Sequence, residues 1–502
     1  MNSGKIVIAG LILLTLGRFW LATQLEITPD EALLWQKSHR PDFTYTEPDR
    51  AGCAMARFGD RLFGRKPIAL RYLNPLLAFS SNLLLLLVVR RTLTPAVAFW
   101  SIVLINLTPA FNQLAILHFG KGALFFFTSL ALFSFWCALH RKTGNLALWA
   151  TTGALLSIAL GFHPTLIALP SAFILFLILN RHRRGQWSRP GVYVMIAMVL
   201  IGFATGRALL PASDPAQQSL VRPIPLSFTE ALHSLRPLLF LITPMILVGL
   251  AWIPVAFFQH RSLPWRDKLF ILLPSLAFLV IGILPWPRHP MAPIQVGLLL
   301  LIPCLTAIWF ETDIAVKRYR AFRLLTFATA AVIGLGSLNA SILRDFRIPW
   351  PRPLSISQPG HFEETANLLA EAASHTSATT GQPVFLISTD PSLASAISFY
   401  LASGPWHHHP LTDSPAVHLP ESPGFDHDYQ RWPGYSQANL EFEGKAALFI
   451  QPYHEYQDRP PANITNAFET WSPAGVLGIQ RRGRTVQSWI LFHCSGYRGL
   501  PF

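Results

Sequence analysis

The sequence predicts a polytopic α-helical membrane protein with about eleven transmembrane helices and a C-terminal extracytoplasmic α/β domain. The 502-residue chain is 51% hydrophobic and only 13% charged. Its mean hydropathy is +0.37, which is too apolar for a soluble protein of this size. The apolar residues form repeated runs long enough to cross a bilayer. From about residue 350 these runs stop, and proline, histidine and acidic residues become frequent.

Eleven apolar runs are candidate membrane spans. The fifth and sixth are divided at Gly161–Pro164, because proline ends or kinks a helix. The spans lie near residues 5–22, 72–89, 95–110, 121–139, 146–161, 164–180, 191–210, 236–258, 268–285, 291–310 and 323–341. We therefore predict a transmembrane domain over residues 1–345, with its first extracytoplasmic loop at 23–71, followed by an extracytoplasmic domain over residues 346–502.

Charged residues at the span ends predict the orientation. If alternate ends are cytoplasmic, starting with the N-terminus, those ends carry many cations and only the acids Asp267, Glu311 and Asp313. The cations are Lys5, Arg90, Arg91, Arg141, Lys142, Arg181, Arg183, Arg184, Arg189, Arg261, Arg266, Lys268, Lys317, Arg318, Arg320 and Arg323. Such asymmetry places the N-terminus in the cytoplasm and the C-terminal domain outside it. It also accounts for much of the net charge of +14, so we expect no nucleic-acid binding.

The C-terminal region has the patterns of a small α/β domain. Periodicity predicts helices at 361–375 and 391–403, buried strands at 383–389 and 446–452, and a hairpin of 476–480 with 485–494. Many proline, histidine and glycine residues predict a long loop over residues 404–440.

The first extracytoplasmic loop concentrates the residues best suited to chemistry. Asp30 and Glu31 stand side by side a few residues past the first span, where acids held close to a bilayer are costly. A carboxylate can accept a proton or hold a metal ion, and cations can neutralise a phosphate. Asp30 and Glu31 are therefore the candidate catalytic residues, and Asp30 is also the candidate ligand of a divalent metal cation, the one cofactor considered.

Other candidate substrate-binding residues lie on the same predicted side of the membrane. The basic residues among them would contact a lipid-linked phosphate at the mouth of the helical bundle. Basic residues at membrane edges also serve as interfacial anchors. The set consists of Glu47, Arg50, Arg71, Lys121, His163, Arg288 and His289.

Several short motifs resemble the GT-C superfamily of membrane glycosyltransferases, in the branch of bacterial lipid A aminoarabinose transferases and protein O-mannosyltransferases. The motifs are Asp30-Glu31-Ala32, Tyr45-Thr46-Glu47-Pro48, Leu62-Phe63-Gly64 with Arg71, Arg288-His289-Pro290-Met291-Ala292-Pro293, and Asp428-Tyr429-Gln430-Arg431-Trp432. The resemblance implies an inverting enzyme that takes a sugar from a polyprenyl-phosphate donor and transfers it to an extracytoplasmic lipid, glycan or protein. It also implies that Asp30 corresponds to the essential loop aspartate of that family, as general base or metal ligand.

The chain departs from the family pattern at three positions. Glu47 stands where a lysine or histidine often precedes the proline, and His163 stands where a lysine is common. The fourth span opens with His118-Phe119-Gly120-Lys121 where an aspartate is frequent. The resemblance therefore implies a donor phosphate held by a different set of cations.

Two other functions are compatible with a polytopic chain of this kind. One is a transporter or flippase for polyprenyl-linked lipids, and the other is a catalytically inactive membrane scaffold of the same fold. Transporters usually carry ionisable residues within their spans and repeated halves. Here few charges lie within the spans and the two halves do not match, so the sequence favours the transferase.

Overall fold

The computed structural model describes most of the chain as two compact units. The described residues are 3–39, 50–117, 119–141, 146–209, 243, 246, 248–250, 265–283, 291–312, 317–338, 361–401, 417–419, 442–453, 459–481 and 483–498. The first unit consists of Met1–Thr23, Phe43–Gly52 and Arg71–Ile356. The second unit consists of Gln24–Asp42, Cys53–Leu70 and Ser357–Phe502, so it contains much of the predicted first loop.

The described part of the first unit is helical. Its helices are α1 (Ser3–Gln24), α5 (Asn74–Thr92), α6 (Pro95–Leu107), α7 (Pro109–Ile116), α8 (Phe119–His140), α9 (Leu146–Phe162), α10 (Ala168–Leu179), α11 (Pro190–Leu209), α12 (Trp265–Ile283), α13 (Met291–Thr312) and α14 (Lys317–Leu338). Short 3₁₀ turns, Pro164–Ile167 and Arg181–Gln186, flank α10. Helices α2 (Pro29–Ser38), α3 (Arg50–Phe63) and α4 (Pro67–Arg71) form the connection between α1 and α5.

The described helices make this a multi-pass membrane protein. Five helical segments are long and apolar enough to cross a bilayer, and α6 with α7 adds a sixth if that bent pair is one span. Four shorter apolar helices, α9 to α12, coincide with other predicted spans. The eighth predicted span, 236–258, falls largely outside the described residues. The total of eleven stays a prediction.

Apolar side chains also cover outward faces of these helices. On α1, Leu13, Leu16 and Trp20 are more than half exposed, and on α14 the same holds for Leu324 and Val332. Exposed apolar stripes of this kind are stable against lipid tails and costly against water. The faces opposite them form one buried core in the unit.

Side-chain contacts place several helix ends together at each edge of the first unit. At one edge, the Arg91 guanidinium lies 5.8 Å from the Trp136 ring centroid, and Arg183 Nη2 lies 2.9 Å from His140 Nε2. These contacts join the ends of α5 and α8 to the turn after α10. At the other edge, Asn74 at the start of α5 donates to Ile116 O at the end of α7.

The second unit is built on a five-stranded mixed sheet of order β2-β1-β3-β5-β4. The strands are β1 (Val384–Ile387), β2 (Val417–His418), β3 (Ala446–Pro452), β4 (Phe468–Arg481) and β5 (Arg484–Tyr497). Strand β1 pairs in parallel with β2 and β3, whereas β5 pairs antiparallel with β3 and β4. The helices α15 (Phe362–Thr380), α16 (Pro391–Leu401) and α17 (Ala462–Ala467) complete the described part of the unit.

Most secondary-structure predictions for the C-terminal region are confirmed. Both helices, the two buried strands and the hairpin occur where the patterns place them. The uninterrupted loop over 404–440 is wrong at Val417–His418, which form β2. A two-residue strand is too short to leave a periodic pattern, and its pairing with β1 depends on tertiary packing.

Candidate active site

The helix that carries the acid pair begins with a complete capping box. Thr28 is the N-cap of α2, and its Oγ1 accepts a hydrogen bond from Glu31 N at 3.3 Å. Glu31 Oε2 in turn accepts from Thr28 N at 2.8 Å and from Thr28 Oγ1 at 3.0 Å. Pro29 occupies the first helical position, where its missing N–H costs nothing. The local sequence Thr-Pro-Asp-Glu therefore fixes where α2 starts.

The two acids of the pair have different surroundings. Asp30 is exposed on the first turn of α2, whereas Glu31 is only 3% exposed and is engaged in the cap. Adjacent residues on a helix point about 100° apart, so this difference follows from the helical conformation. Asp30 can meet a ligand from solvent, whereas Glu31 Oε2 is occupied by the start of the helix.

Contacts with α16 hold α2 in place within the second unit. The Trp35 ring meets the edge of the Phe399 ring at a centroid distance of 5.1 Å and an interplanar angle of 83°. Just before α2, Ile27 N donates to the hydroxyl of Tyr400 at 3.2 Å. The aspartate is therefore carried by an element packed within the sheet-containing unit, which restricts its motion relative to a solvated loop.

Helix α3 holds the other end of α2. His39 Nε2 lies 3.0 Å from Asp60 Oδ2, and the Arg65 guanidinium lies 5.3 Å from the Trp35 ring centroid. Burial raises the pKa of the Asp60 carboxyl, but the hydrogen bond and charge of His39, together with the charge of Arg65, lower this pKa by more. The carboxylate form is thus favoured, which suits the hydrogen bond with His39 that joins α2 to α3.

Glu26 is a carboxylate of this segment that the sequence interpretation did not select. Backbone N–H groups of His361 and Phe362 donate to it, so it serves the start of α15. Burial raises the pKa of the Glu26 carboxyl, and these amide bonds offset only part of that rise. The residue lies four positions before Asp30, and sequence position alone gave no sign of its partners.

Two predicted substrate-binding residues have described side chains in the first unit. Arg71 is fully buried, and its Nη1 donates to Ala22 O near the end of α1 at 3.3 Å. His163 is half-buried before the 3₁₀ turn, with Nδ1 2.6 Å from Thr165 Oγ1. Asp30 and Glu31 belong to the second unit.

The remaining predicted site residues have no described side-chain geometry. The backbone of Arg50 begins α3, and that of Lys121 lies in the first turn of α8. Glu47, Arg288 and His289 lie outside the described residues. Their roles stay predictions.

A metal ion at Asp30 would need further side-chain ligands close by. Among the residues that the structure describes, no group of three or more His, Cys, Asp and Glu side chains is arranged to hold a metal ion. Asp30 belongs to no such group in that set, so we derive no chemical step through a metal.

The comparisons with known proteins agree with the resemblance seen in the sequence motifs. Residues 51–206 match the family described as dolichyl-phosphate-mannose-protein mannosyltransferase. A comparison with curated protein sequences finds no significant match.

Two solved structures of ArnT from Cupriavidus metallidurans are similar to the chain over nearly its whole length. The apo form has a TM-score of 0.59 at 13% identity, and the form bound to undecaprenyl phosphate has a TM-score of 0.54 at 14% identity. In both comparisons the match covers 98% of this chain and 98% of the other. At such identities the similarity shows a shared fold. The chain therefore has the fold of the GT-C membrane glycosyltransferases, and the resemblance to that superfamily is confirmed.

Proposed function

We propose that this protein is an inverting glycosyltransferase that moves a sugar from a polyprenyl-phosphate donor to an extracytoplasmic lipid, glycan or protein. The observation that carries the proposal is the fold shared over 98% of both chains with an ArnT bound to undecaprenyl phosphate. A fold alone does not determine activity. The proposal therefore also depends on the chemistry available at Asp30.

Asp30 is suited to act as the general base of such a transfer. Its side chain is exposed, and the capping box and the contacts of Trp35 fix the helix beneath it. A base on a fixed element loses less entropy when it meets the acceptor than a base on a loose loop. Glu31 supports this arrangement by closing the cap.

The reaction we propose is a single in-line displacement. The acceptor oxygen attacks the anomeric carbon of the donor sugar while its proton passes to the Asp30 carboxylate. The bond from the anomeric carbon to the phosphate oxygen breaks, and its electron pair leaves with the polyprenyl phosphate. One displacement inverts the anomeric configuration and forms no covalent intermediate on the enzyme.

Cations complete the proposed site by neutralising the departing phosphate. We assign this role to Arg50, Lys121, Arg288 and His289. Arg71 is fully buried and donates a hydrogen bond to Ala22 O. To contact the phosphate as well, its guanidinium would have to divide its N–H groups between Ala22 O and the phosphate. Glu47 would support Asp30 at the donor sugar, and His163 would contact the sugar or its phosphate at the mouth of the bundle.

The proposed location is the inner membrane of a bacterium, with the C-terminal domain and the Asp30 loop outside the cytoplasm. The asymmetry of cations at the span ends supports this orientation. In that orientation the sheet-containing unit lies outside the cytoplasm, on the same side of the membrane as the proposed acceptor. We propose that it helps to select the acceptor.

The substitution Asp30→Asn tests the proposed chemistry directly. It keeps the shape of the side chain and removes the base, so transfer should fall by about 10²–10⁴-fold, the usual contribution of a positioned acid or base. Purified protein is supplied with a panel of undecaprenyl-phosphate sugars together with lipid, glycan and protein acceptors, and release of undecaprenyl phosphate is measured. Glu31→Gln should lose less.

Asp390→Asn provides a matched control. Asp390 directly precedes α16, and its Oδ1 accepts a hydrogen bond from the backbone N–H of Ser392 in the first turn of that helix. An asparagine can accept the same hydrogen bond. The control should transfer at the wild-type rate. A folded Asp30→Asn protein with wild-type activity would remove Asp30 from catalysis. If the wild type releases no undecaprenyl phosphate from any donor, the flippase or inactive-scaffold hypothesis gains instead.

A further inference from the structure

The first unit contains a buried arginine within a membrane helix. Arg18 on α1 is 2% exposed, and its Nη2 donates to Asn106 Oδ1 at 2.9 Å and to Asn112 Oδ1 at 2.8 Å. Its guanidinium also lies 5.1 Å from the Phe111 ring centroid. In the described part of the chain, no carboxylate pairs with Arg18, and its Nε has no hydrogen-bond partner. An ionisable residue at such a position is expensive and usually serves a function.

The two asparagines lie on either side of a break in the helical backbone. Helices α6 and α7 meet at Thr108 with a bend of 75°. Asn112 Nδ2 donates to the backbone oxygen of Asn106 at 3.0 Å, and Asn106 Nδ2 donates to Asn82 Oδ1 at 3.0 Å. A broken helix at membrane depth needs such partners for its freed backbone groups. Arg18 therefore bridges the bend from a third element.

Helix α7 in turn fixes the start of α8. Asn74 Nδ2 donates to Ile116 O at the end of α7 at 3.1 Å. A Cβ added to Gly122 would lie 2.8 Å from Leu114 O, so the backbones of α7 and α8 are in close contact. A shift of α7 would therefore displace the first turn of α8, which includes Lys121.

We propose that Arg18 is a positioning residue that locks the α6–α7 bend and thereby sets the place of the α7–α8 turn. Its role in donor binding rests on the proposed function, because it acts through Lys121. A planar guanidinium can hold two acceptors in a fixed direction, whereas a lysine offers only a compact charge. The arginine therefore supplies geometry to the bend as well as charge.

The first test measures the position of the turn and needs no substrate. Gly120, exposed in the first turn of α8, is replaced by cysteine, and labelling of the purified protein by a polar maleimide is timed. The rate for Gly120→Cys should change several-fold when Arg18→Met is added and return part of the way with Arg18→Lys. An unchanged rate in folded Arg18→Met protein would overturn the proposal.

Controls separate this effect from a general loss of stability. Thr15→Val alters another buried polar residue of α1, whose hydroxyl donates to Leu11 O of the same helix, and should leave the labelling rate unchanged. If Arg18→Met does not fold, Asn112→Ala removes one of the two acceptors and leaves Asn106 in place. It should change the labelling rate in the same direction, and failure to do so would count equally against the proposal.

The second test asks whether the displaced turn matters for donor binding. Undecaprenyl phosphate is titrated into each purified protein, and the dissociation constant is measured. Arg18→Met should weaken binding by about 10–100-fold, the order of one lost hydrogen bond to a charged group, whereas Thr15→Val should not. Altered labelling with unchanged binding would overturn the role in donor binding. A wild type that transfers no sugar would overturn the proposed function and leave the labelling result standing.

Discussion

At the scale of single residues, the acid pair shows how one turn of helix separates two neighbouring carboxylates. Glu31 is buried and closes the capping box with Thr28. Asp30 has an exposed side chain one position earlier. Chemical similarity therefore does not make the two acids equivalent, and substitutions should affect them in different ways.

Substitutions at Glu31 should separate a capping role from a catalytic one. A glutamine can close a capping box as a glutamate does, so Glu31→Gln should keep most of the transfer activity. Glu31→Ala leaves the N–H of Thr28 without this partner and should destabilise the start of α2 by about 1 kcal/mol, the order of a lost cap. Transfer rates and thermal stability of both purified variants provide the measurement. Equal loss of activity in the two variants, with unchanged stability, would instead assign Glu31 to the chemistry.

Part of this residue-scale picture could be predicted from the sequence. Thr28 and Glu31 have the spacing of a capping box, so the start of α2 could be located from local pattern. Arg18 and its asparagines gave no such signal, because positions 18, 106 and 112 meet only through the packing of three helices. For the same reason, the partners of Glu26 at the start of α15 could not be predicted.

At the scale of elements, α2 depends on α16 for its position. The edge-on contact of Trp35 with Phe399 and the bond from Ile27 N to Tyr400 join the two elements. A change in this interface should move Asp30 without touching the carboxylate itself. Misplacement of a catalytic group by about 1 Å can cost on the order of 100-fold in rate.

Phe399→Leu tests this dependence. Leucine keeps an apolar side chain in the core but removes the aromatic contact, which contributes about 0.5–1.5 kcal/mol. Sugar transfer should fall by roughly 10–100-fold, because α2 loses a fixed neighbour. Phe492→Leu is the matched control. Phe492 is a buried phenylalanine of the same unit, and its ring contacts those of Phe449 and Trp471 and not that of Trp35. If both variants lose the same activity for the same loss of thermal stability, the contact has no particular role in placing Asp30.

Element prediction succeeded where a pattern was long and failed where tertiary structure decided. The span expected at 95–110 instead ends at Leu107 and bends at Thr108 into α7. Thr108 and Pro109 are a typical N-cap and first helical residue, but the surrounding apolar run concealed this signal. Helices α2, α3 and α4 within the charged loop were also not predicted, because mixed charges there obscure a helical pattern.

At the scale of the whole molecule, the orientation was predicted by assigning span ends alternately to the cytoplasmic and extracytoplasmic sides. Ends assigned to the same side lie together in the first unit. Arg91, His140 and Arg183 come together at one edge, all from predicted cytoplasmic ends. Asn74 and Gly122, from predicted extracytoplasmic ends, contact α7 at the other. Sequence patterning could predict this arrangement because the cytoplasmic span ends carry an excess of cations, whereas contacts between the spans leave no sequence signal.

Cysteine labelling in spheroplasts tests which edge faces the cytoplasm. Ser188 is exposed next to the turn that holds Arg183, and Gly120 is exposed at the start of α8. If the cation-rich edge is inside, a membrane-impermeant maleimide should label Gly120→Cys in intact spheroplasts and Ser188→Cys only after permeabilisation. The parent protein gives the background from its own cysteines, of which Cys53, Cys304 and Cys494 are buried. Labelling of Ser188→Cys without permeabilisation, together with protection of Gly120→Cys, would reverse the orientation. Asp30 would then face the cytoplasm, and an extracytoplasmic acceptor could not reach it.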